Sequence, residues 1–224
     1  MTTYEPQYST SIELSERVGF ARLGLMSNQT WLEDPSRLLY VLSRYKFVSR
    51  MLQGFDRVLE VGCADGFASR IVADKVRSLT LSDADRLFIE DARRLWVNWG
   101  VPTPSFLVHD VLASPYASRY DAIFALDVLE HIPLEQEHVF VTNIVQSMER
   151  NATLIVGMPS AESQRYASPR SKEGHVNCKS GLQFLEFGRR YFKNAFLHGM
   201  NDEVVHTGYP AMAHYLFLVC VNPK

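Results

Sequence analysis

Val58-Leu59-Glu60-Val61-Gly62-Cys63-Ala64-Asp65-Gly66, running on into Phe67-Ala68-Ser69-Arg70-Ile71-Val72-Ala73, is the stretch that decides the fold. Val58, Leu59 and Val61 are apolar and β-favouring, as a strand covered by helices on both faces requires. Glu60 stands near the strand's end, and a tight turn with glycine at 62 and 66 follows. Glycine there lets the backbone turn sharply and approach a ligand without a Cβ in the way. Residues 67–73 then continue as a helix, whose N-terminus offers backbone N–H groups and a positive dipole end. In open α/β sheets ligands bind at this end of the strands.

The spacing narrows the ligand. A dinucleotide fingerprint needs glycine at three positions, and here Gly62, Ala64 and Phe67 occupy them, so it fails. What remains, Glu60-x-Gly62-x-Ala64-x-Gly66, resembles motif I of the class I S-adenosylmethionine-dependent methyltransferases. Ala64 departs from the family, which usually has glycine there. The resemblance implies S-adenosyl-L-methionine as cofactor, with Glu60, Gly62, Cys63, Ala64 and Gly66 around it.

Three further acids sit at predicted strand ends. Residues 78–83 end in Asp83, placed to accept both ribose hydroxyls, as other nucleotide-binding α/β folds do. Residues 105–110 end in Asp110, where the resemblance implies contact with the adenine amino group, and residues 120–127 end in Asp127, facing the methionine end. Ala84 and Val111, next to Asp83 and Asp110, complete the implied cofactor set. Each acid alone reads as a strand-end or capping residue; four in succession point to one ligand. Asp85 reads instead as the N-cap of a helix running to Trp99 and closed by Gly100.

Strands and helices alternate after the motif, as in a parallel α/β sheet. A helix over Leu134–Arg150, a fifth strand at Thr153–Gly157, a loop from Ser160 to about Lys179, a helix over Gly181–Tyr191 and strands at Ala195–Gly199 and His214–Cys220 complete the pattern. The resemblance implies a Rossmann-like, doubly wound, seven-stranded sheet, mostly parallel with an antiparallel last strand. Residues 1–54 read as an N-terminal helical lid or cap, and 55–224 as the S-adenosylmethionine-binding domain, in one compact unit. Asp34-Pro35 is a helix start, and Arg37, Arg44, Lys46 and Arg50 read as that helix's solvated edge. Residues 23–31 read as loop, with Met26 to Trp31 a candidate cover for the cofactor.

Composition agrees with one globular domain: 46% of the 224 residues are hydrophobic and 21% charged. A net charge of −2 gives no global pull toward nucleic acid or anionic membrane. No apolar run approaches the ~20 residues of a membrane span, and the N-terminus lacks the layout of a signal peptide. Cys63, Cys178 and Cys220 are widely spaced and read as reduced thiols of a cytoplasmic protein. The expected partner is a small-molecule acceptor, with neither nucleic acid nor membrane, and the oligomeric state stays open.

Methyl transfer from a sulfonium needs mainly a well-placed nucleophile, so such an enzyme can lack an invariant triad. Asp127-Val128-Leu129-Glu130-His131 resembles a stretch common in small-molecule methyltransferases related to ubiquinone-biosynthesis and sugar-modifying enzymes. His131 is the candidate general base, with His175 as a second catalytic candidate. The same residues also resemble the metal cluster of small-RNA 2′-O-methyltransferases, in which Asp127, Glu130, His131 and His175 hold a divalent cation. The leading expectation is methyl transfer to an O or N atom of a small polar metabolite, a sugar or nucleotide-linked sugar among them. The alternatives are a metal-assisted RNA 2′-O-methyltransferase and an inactive binding subunit of the same fold. Asn201, Asp202, His206 and Tyr209, in a loop between the last two strands, are candidate substrate contacts.

Overall fold

A computed structural model describes residues 3–97, 99 and 101–224. Helices α1 (Ser9–Val18), α2 (Leu25–Glu33) and α3 (Pro35–Met51) lead into strand β1 (Arg57–Val61). There follow α4 (Arg70–Ala73), β2 (Ser78–Asp83), α5 (Arg86–Val97), β3 (Ser105–Val108) and β4 (Tyr120–Leu126). Then come α6 (Glu137–Gln146), β5 (Met148–Pro159), α7 (Pro169–Gly174), α8 (Gly181–Tyr191), β6 (Phe192–Asn201), β7 (Val204–His206) and β8 (Tyr215–Pro223).

The strands form one sheet in the order β3-β2-β1-β4-β5-β8-β6-β7. β1 to β5 pair in parallel, β8 runs antiparallel between β5 and β6, and β7 is antiparallel to β6. The order reverses between β1 and β4, so a crevice opens at their carboxyl ends. The central run Ala122-Ile123-Phe124-Ala125-Leu126 is buried on both faces, which is why it reads as continuous rather than alternating. One core cluster, with Phe140, Ile144, Phe184 and Phe187, covers one face; the other takes Tyr45, Val48, Leu52, Ile89 and Trp96. Each such large side chain contributes roughly 1.5–3 kcal/mol on burial.

Several helix starts follow local chemistry. Asp34 caps α3, accepting from the Arg37 N–H at 3.3 Å, with Pro35 in the first turn. Asp85 accepts from the Leu87 N–H at 2.8 Å at the head of α5, and Ser180 with Gln183 forms a capping box on α8.

Five expectations need correction. The sheet has eight strands rather than seven, because Asp202, at φ 50°, and Glu203 turn the chain so that Asn201 pairs with Val204. Residues 25–33 are helix rather than loop: carboxylates distant in sequence satisfy their first N–H groups, Asp91 taking that of Leu25 and Asp65 that of Ser27. The helix after the glycine turn keeps only Arg70–Ala73. Residues 148–150 open β5 instead of ending the preceding helix. The segment 160–179 is ordered by α7 and a parallel bridge between Ser160 and Lys179. α5 ends at Val97; the expected stop, Gly100, lies outside the described residues.

Candidate active site

The glycine turn bends as its sequence requires. Gly62 has φ +73° and Gly66 φ +65°, and Ala64 takes a left-handed φ of 47° despite its methyl group. A Cβ on Gly62 would stand 2.4 Å from Val128 Cγ2, and one on Gly66 3.0 Å from Leu81 Cδ1. Gly62 therefore allows the turn to pass the end of β4, whereas Gly66 serves packing between helix and strand.

A cavity of about 280 Å³ opens beside this turn. Its walls are the turn itself (Gly62, Cys63, Ala64), the end of β4 (Asp127, Glu130, His131), α2, α3 and His175. Of the predicted cofactor residues, Gly62, Cys63, Ala64 and Asp127 line it. Glu60 does not: it is buried under the turn, where Oε1 accepts from the Tyr45 hydroxyl at 2.6 Å. Burial pushes its carboxyl up to about 7. Asp83 and Asp110 stand outside the cavity walls. Asp83 Oδ2 accepts from the Ala64 N–H at 3.0 Å and Oδ1 from the Asp85 N–H at 2.9 Å, tying β2 to the turn. Asp110 Oδ1 accepts from the Leu112 N–H at 2.8 Å, Val111 is buried, and Ala84 is exposed beside Asp83.

Two residues given no site role from the sequence shape the site. Arg44 is no solvated edge residue. Its Nη1 meets Asp127 Oδ2 at 2.7 Å, and its guanidinium lies 3.9 Å from the centre of the Tyr215 ring. Asp65, 4% exposed, accepts from the Ser27 N–H at 2.7 Å and the Ser27 hydroxyl at 3.1 Å, docking α2 on the turn. Nothing local marks either role, since both partners are distant in sequence.

At the far end of the cavity Glu130, His131 and His175 come together, with ligand atoms all within 4.8 Å of one another. Glu130 is fully buried, and neither carboxylate oxygen has a hydrogen-bond partner among the described residues. Burial, and then the neighbouring Asp127, push its carboxyl well above the usual range. His131 Nδ1 lies 2.8 Å from the Gly174 carbonyl, and His175 Nδ1 lies 2.8 Å from Gln164 Oε1. Burial, with His131 beside it, lowers the His175 pKa. Asp127 is not part of this group; its Oδ2 meets Arg44 instead. The predicted substrate contacts Asn201 and His206 are also engaged elsewhere: Asn201 Nδ2 donates to the Met212 carbonyl, and His206 Nε2 lies 2.8 Å from Asn201 Oδ1. Asp202 and Tyr209 likewise do not line the cavity.

Residues 58–151 match the family model described as a methyltransferase domain. The chain is 32% identical over 131 residues to the ubiquinone biosynthesis O-methyltransferase of Xanthomonas axonopodis pv. citri (strain 306), covering 56% of this chain. It spans about half, 53%, of that relative's length. Among solved structures it resembles the N-methyltransferase NodS of Bradyrhizobium japonicum WM9 in complex with S-adenosyl-L-homocysteine. That match has a TM-score of 0.63 at 17% identity, over 98% of this chain and 100% of that one. It also resembles the methyltransferase domain of bacterial CtHen1-C, with a TM-score of 0.67 at 16% identity over 82% and 98% of the two chains. At those identities the two structures bear on the fold. Together with the glycine turn and the sheet order, the matches show the class I methyltransferase fold, with a methyltransferase domain over residues 58–151.

S-adenosyl-L-methionine is the cofactor of that class, and the donor set fits it. The Gly62–Ala64 backbone gives a ligand close approach. The half-buried Arg44 guanidinium at the cavity wall suits a carboxylate such as that of the methionine end.

Proposed function

We propose that the chain transfers the methyl group of S-adenosyl-L-methionine to an O or N atom of a small polar metabolite, a sugar or nucleotide-linked sugar among them. The observation that carries this reading is the cavity itself, whose walls include both the glycine turn and the pair His131 and His175. Arg37 adds a charged, hydrogen-bonding side chain to the same walls, which suits a polar acceptor.

The cofactor supplies an electrophilic methyl on a good leaving group. The chain's own task is to hold the acceptor in line and exclude water, and well-oriented groups can lower such a barrier by roughly 7–11 kcal/mol. His131 is the base in this reading. The Gly174 carbonyl can only accept, so Nδ1 carries the proton and Nε2 presents a lone pair. That lone pair takes the proton of an acceptor hydroxyl or ammonium. Incubation with S-adenosylmethionine and a panel of sugars, nucleotide sugars and polar amines tests the acceptor class. Release of S-adenosylhomocysteine with one of them supports it; binding of S-adenosylhomocysteine without turnover on any of them counts against it.

The convergence of Glu130, His131 and His175 favours one second reading, in which they hold a divalent cation at the hydroxyls of an RNA ribose. The unpartnered buried carboxylate of Glu130 is the specific support. Titration with Mn²⁺ separates the readings: tight binding lost in His175→Ala favours the metal, and activity indifferent to chelators favours the base.

A further inference from the structure

We infer that Glu137, Asn177 and Lys179 form a buried bracket that positions His175 against His131, making them positioning residues for the chemistry of the cavity. The inference rests on the reading of the two histidines as the groups beside the transferring methyl.

His175 reaches the cavity from the segment after α7, far from the strand ends that carry the other site residues. Two attachments hold the segment. The Val176 and Asn177 N–H groups both donate to the Glu130 carbonyl, at 2.8 and 3.0 Å. Beyond them the chain is anchored to the head of α6. Lys179 Nζ meets Glu137 Oε2 at 2.5 Å and donates to Asn177 Oδ1 at 3.0 Å, and Asn177 Nδ2 donates to the same Glu137 oxygen at 3.1 Å. The three side chains close a triangle, and all three residues are buried.

Stability alone is a poor reason for that arrangement. Burying an ion pair costs desolvation, and apolar residues of similar volume commonly serve as well or better. What the triangle adds is geometry. It fixes residues 177 and 179, and through them the chain direction at His175.

The rings are oriented to match. Gln164 Nε2 donates to the Ser160 carbonyl at 3.3 Å, which turns Oε1 toward His175 Nδ1 and makes that nitrogen the proton carrier. The Gly174 carbonyl does the same for His131. A Cβ on Gly174 would lie 3.3 Å from His131 Nδ1, so the contact is close. Both rings are thus held with Nδ1 protonated and Nε2 without a hydrogen-bond partner among the described residues, their centroids 5.2 Å apart. One bracket and two acceptors fix two imidazole lone pairs together.

Histidine ¹⁵N spectra of the S-adenosylhomocysteine-saturated protein, recorded above the histidine titration range at about pH 8, test the inference. The wild type should show both rings as single Nδ1–H tautomers. Glu137→Leu/Lys179→Met removes both buried charges together and so should fold; in it His175 should become a mixture of tautomers, while cofactor affinity changes less than about threefold. Gln164→Leu should disturb His175 alone with the triangle intact. Single tautomers at both rings in the double variant would overturn the bracket. If S-adenosylhomocysteine does not bind, the same spectra of the free protein still read the bracket, so the two failures are distinguishable.

Discussion

Glu60 shows how burial turns a motif residue into a pH-sensitive one. Its carboxyl sits under the glycine turn with the Tyr45 hydroxyl on one oxygen, and burial raises it to about 7. A carboxyl raised in the folded state favours the protonated form. Its contribution is therefore complete below the unfolded value, near 4.5, and is lost as pH rises through about 7. Thermal unfolding of the cofactor-free protein should show a fall of about 3 kcal/mol across that window, absent in Glu60→Gln. A pH profile unchanged by the substitution would remove Glu60 as the cause. Asp83 carries a separate expectation, since its carboxylate stands beside the turn and retains lone pairs for a ribose. Asp83→Ala should weaken S-adenosylhomocysteine binding by about 1.5–3 kcal/mol in calorimetry, and unaltered affinity would take Asp83 out of the ribose site. At this scale the sequence was legible where chemistry is local, as in the glycines of the turn at φ +73° and +65°. Arg44 was not legible, because its helical spacing also fits a solvated edge and its partner Asp127 lies 83 residues away.

α2 depends on other elements for its start. Its first turn is held by carboxylates from other elements, Asp65 on the glycine turn and Asp91 on α5. Gly24, just before it, packs so close that a Cβ would come within 2.4 Å of Asp65. We propose that α2 covers the cofactor. Its amides should then exchange more slowly when S-adenosylhomocysteine is added, and Asp65→Ala should speed their exchange in the free protein. Equal exchange in all three states would return α2 to simple packing. The borrowed caps also explain why residues 23–31 read as loop: the helix that starts there lacks a side-chain N-cap of its own. α8, by contrast, was legible to the residue, because Ser180 and Gln183 form its capping box locally. β7 escaped notice since three residues beside a two-residue turn give too short a run for alternation to show.

Across the whole molecule the site lies where three separated parts of the chain meet: α2 and α3, the ends of β1 and β4, and the segment carrying His175. The parallel sheet and the glycine turn made the cofactor end legible, because both follow from strand-turn-helix patterning. The part of the site with Glu130 and the two histidines was legible only as a set of residue types. Which of them converge depends on how residues 160–179 fold back over β4, a tertiary matter. On the base reading, His131→Ala should lower turnover roughly 10²–10⁴-fold while cofactor affinity holds. A parallel loss of affinity would place His131 with the cofactor instead. The most direct measurement of the central claim is a crystal structure with S-adenosylhomocysteine bound. The account predicts the ligand at the Gly62–Ala64 turn, its ribose toward Asp83 and its sulfur facing His131 and Glu130. Ligand density elsewhere, or a sulfur turned away from His131 and Glu130, would contradict it.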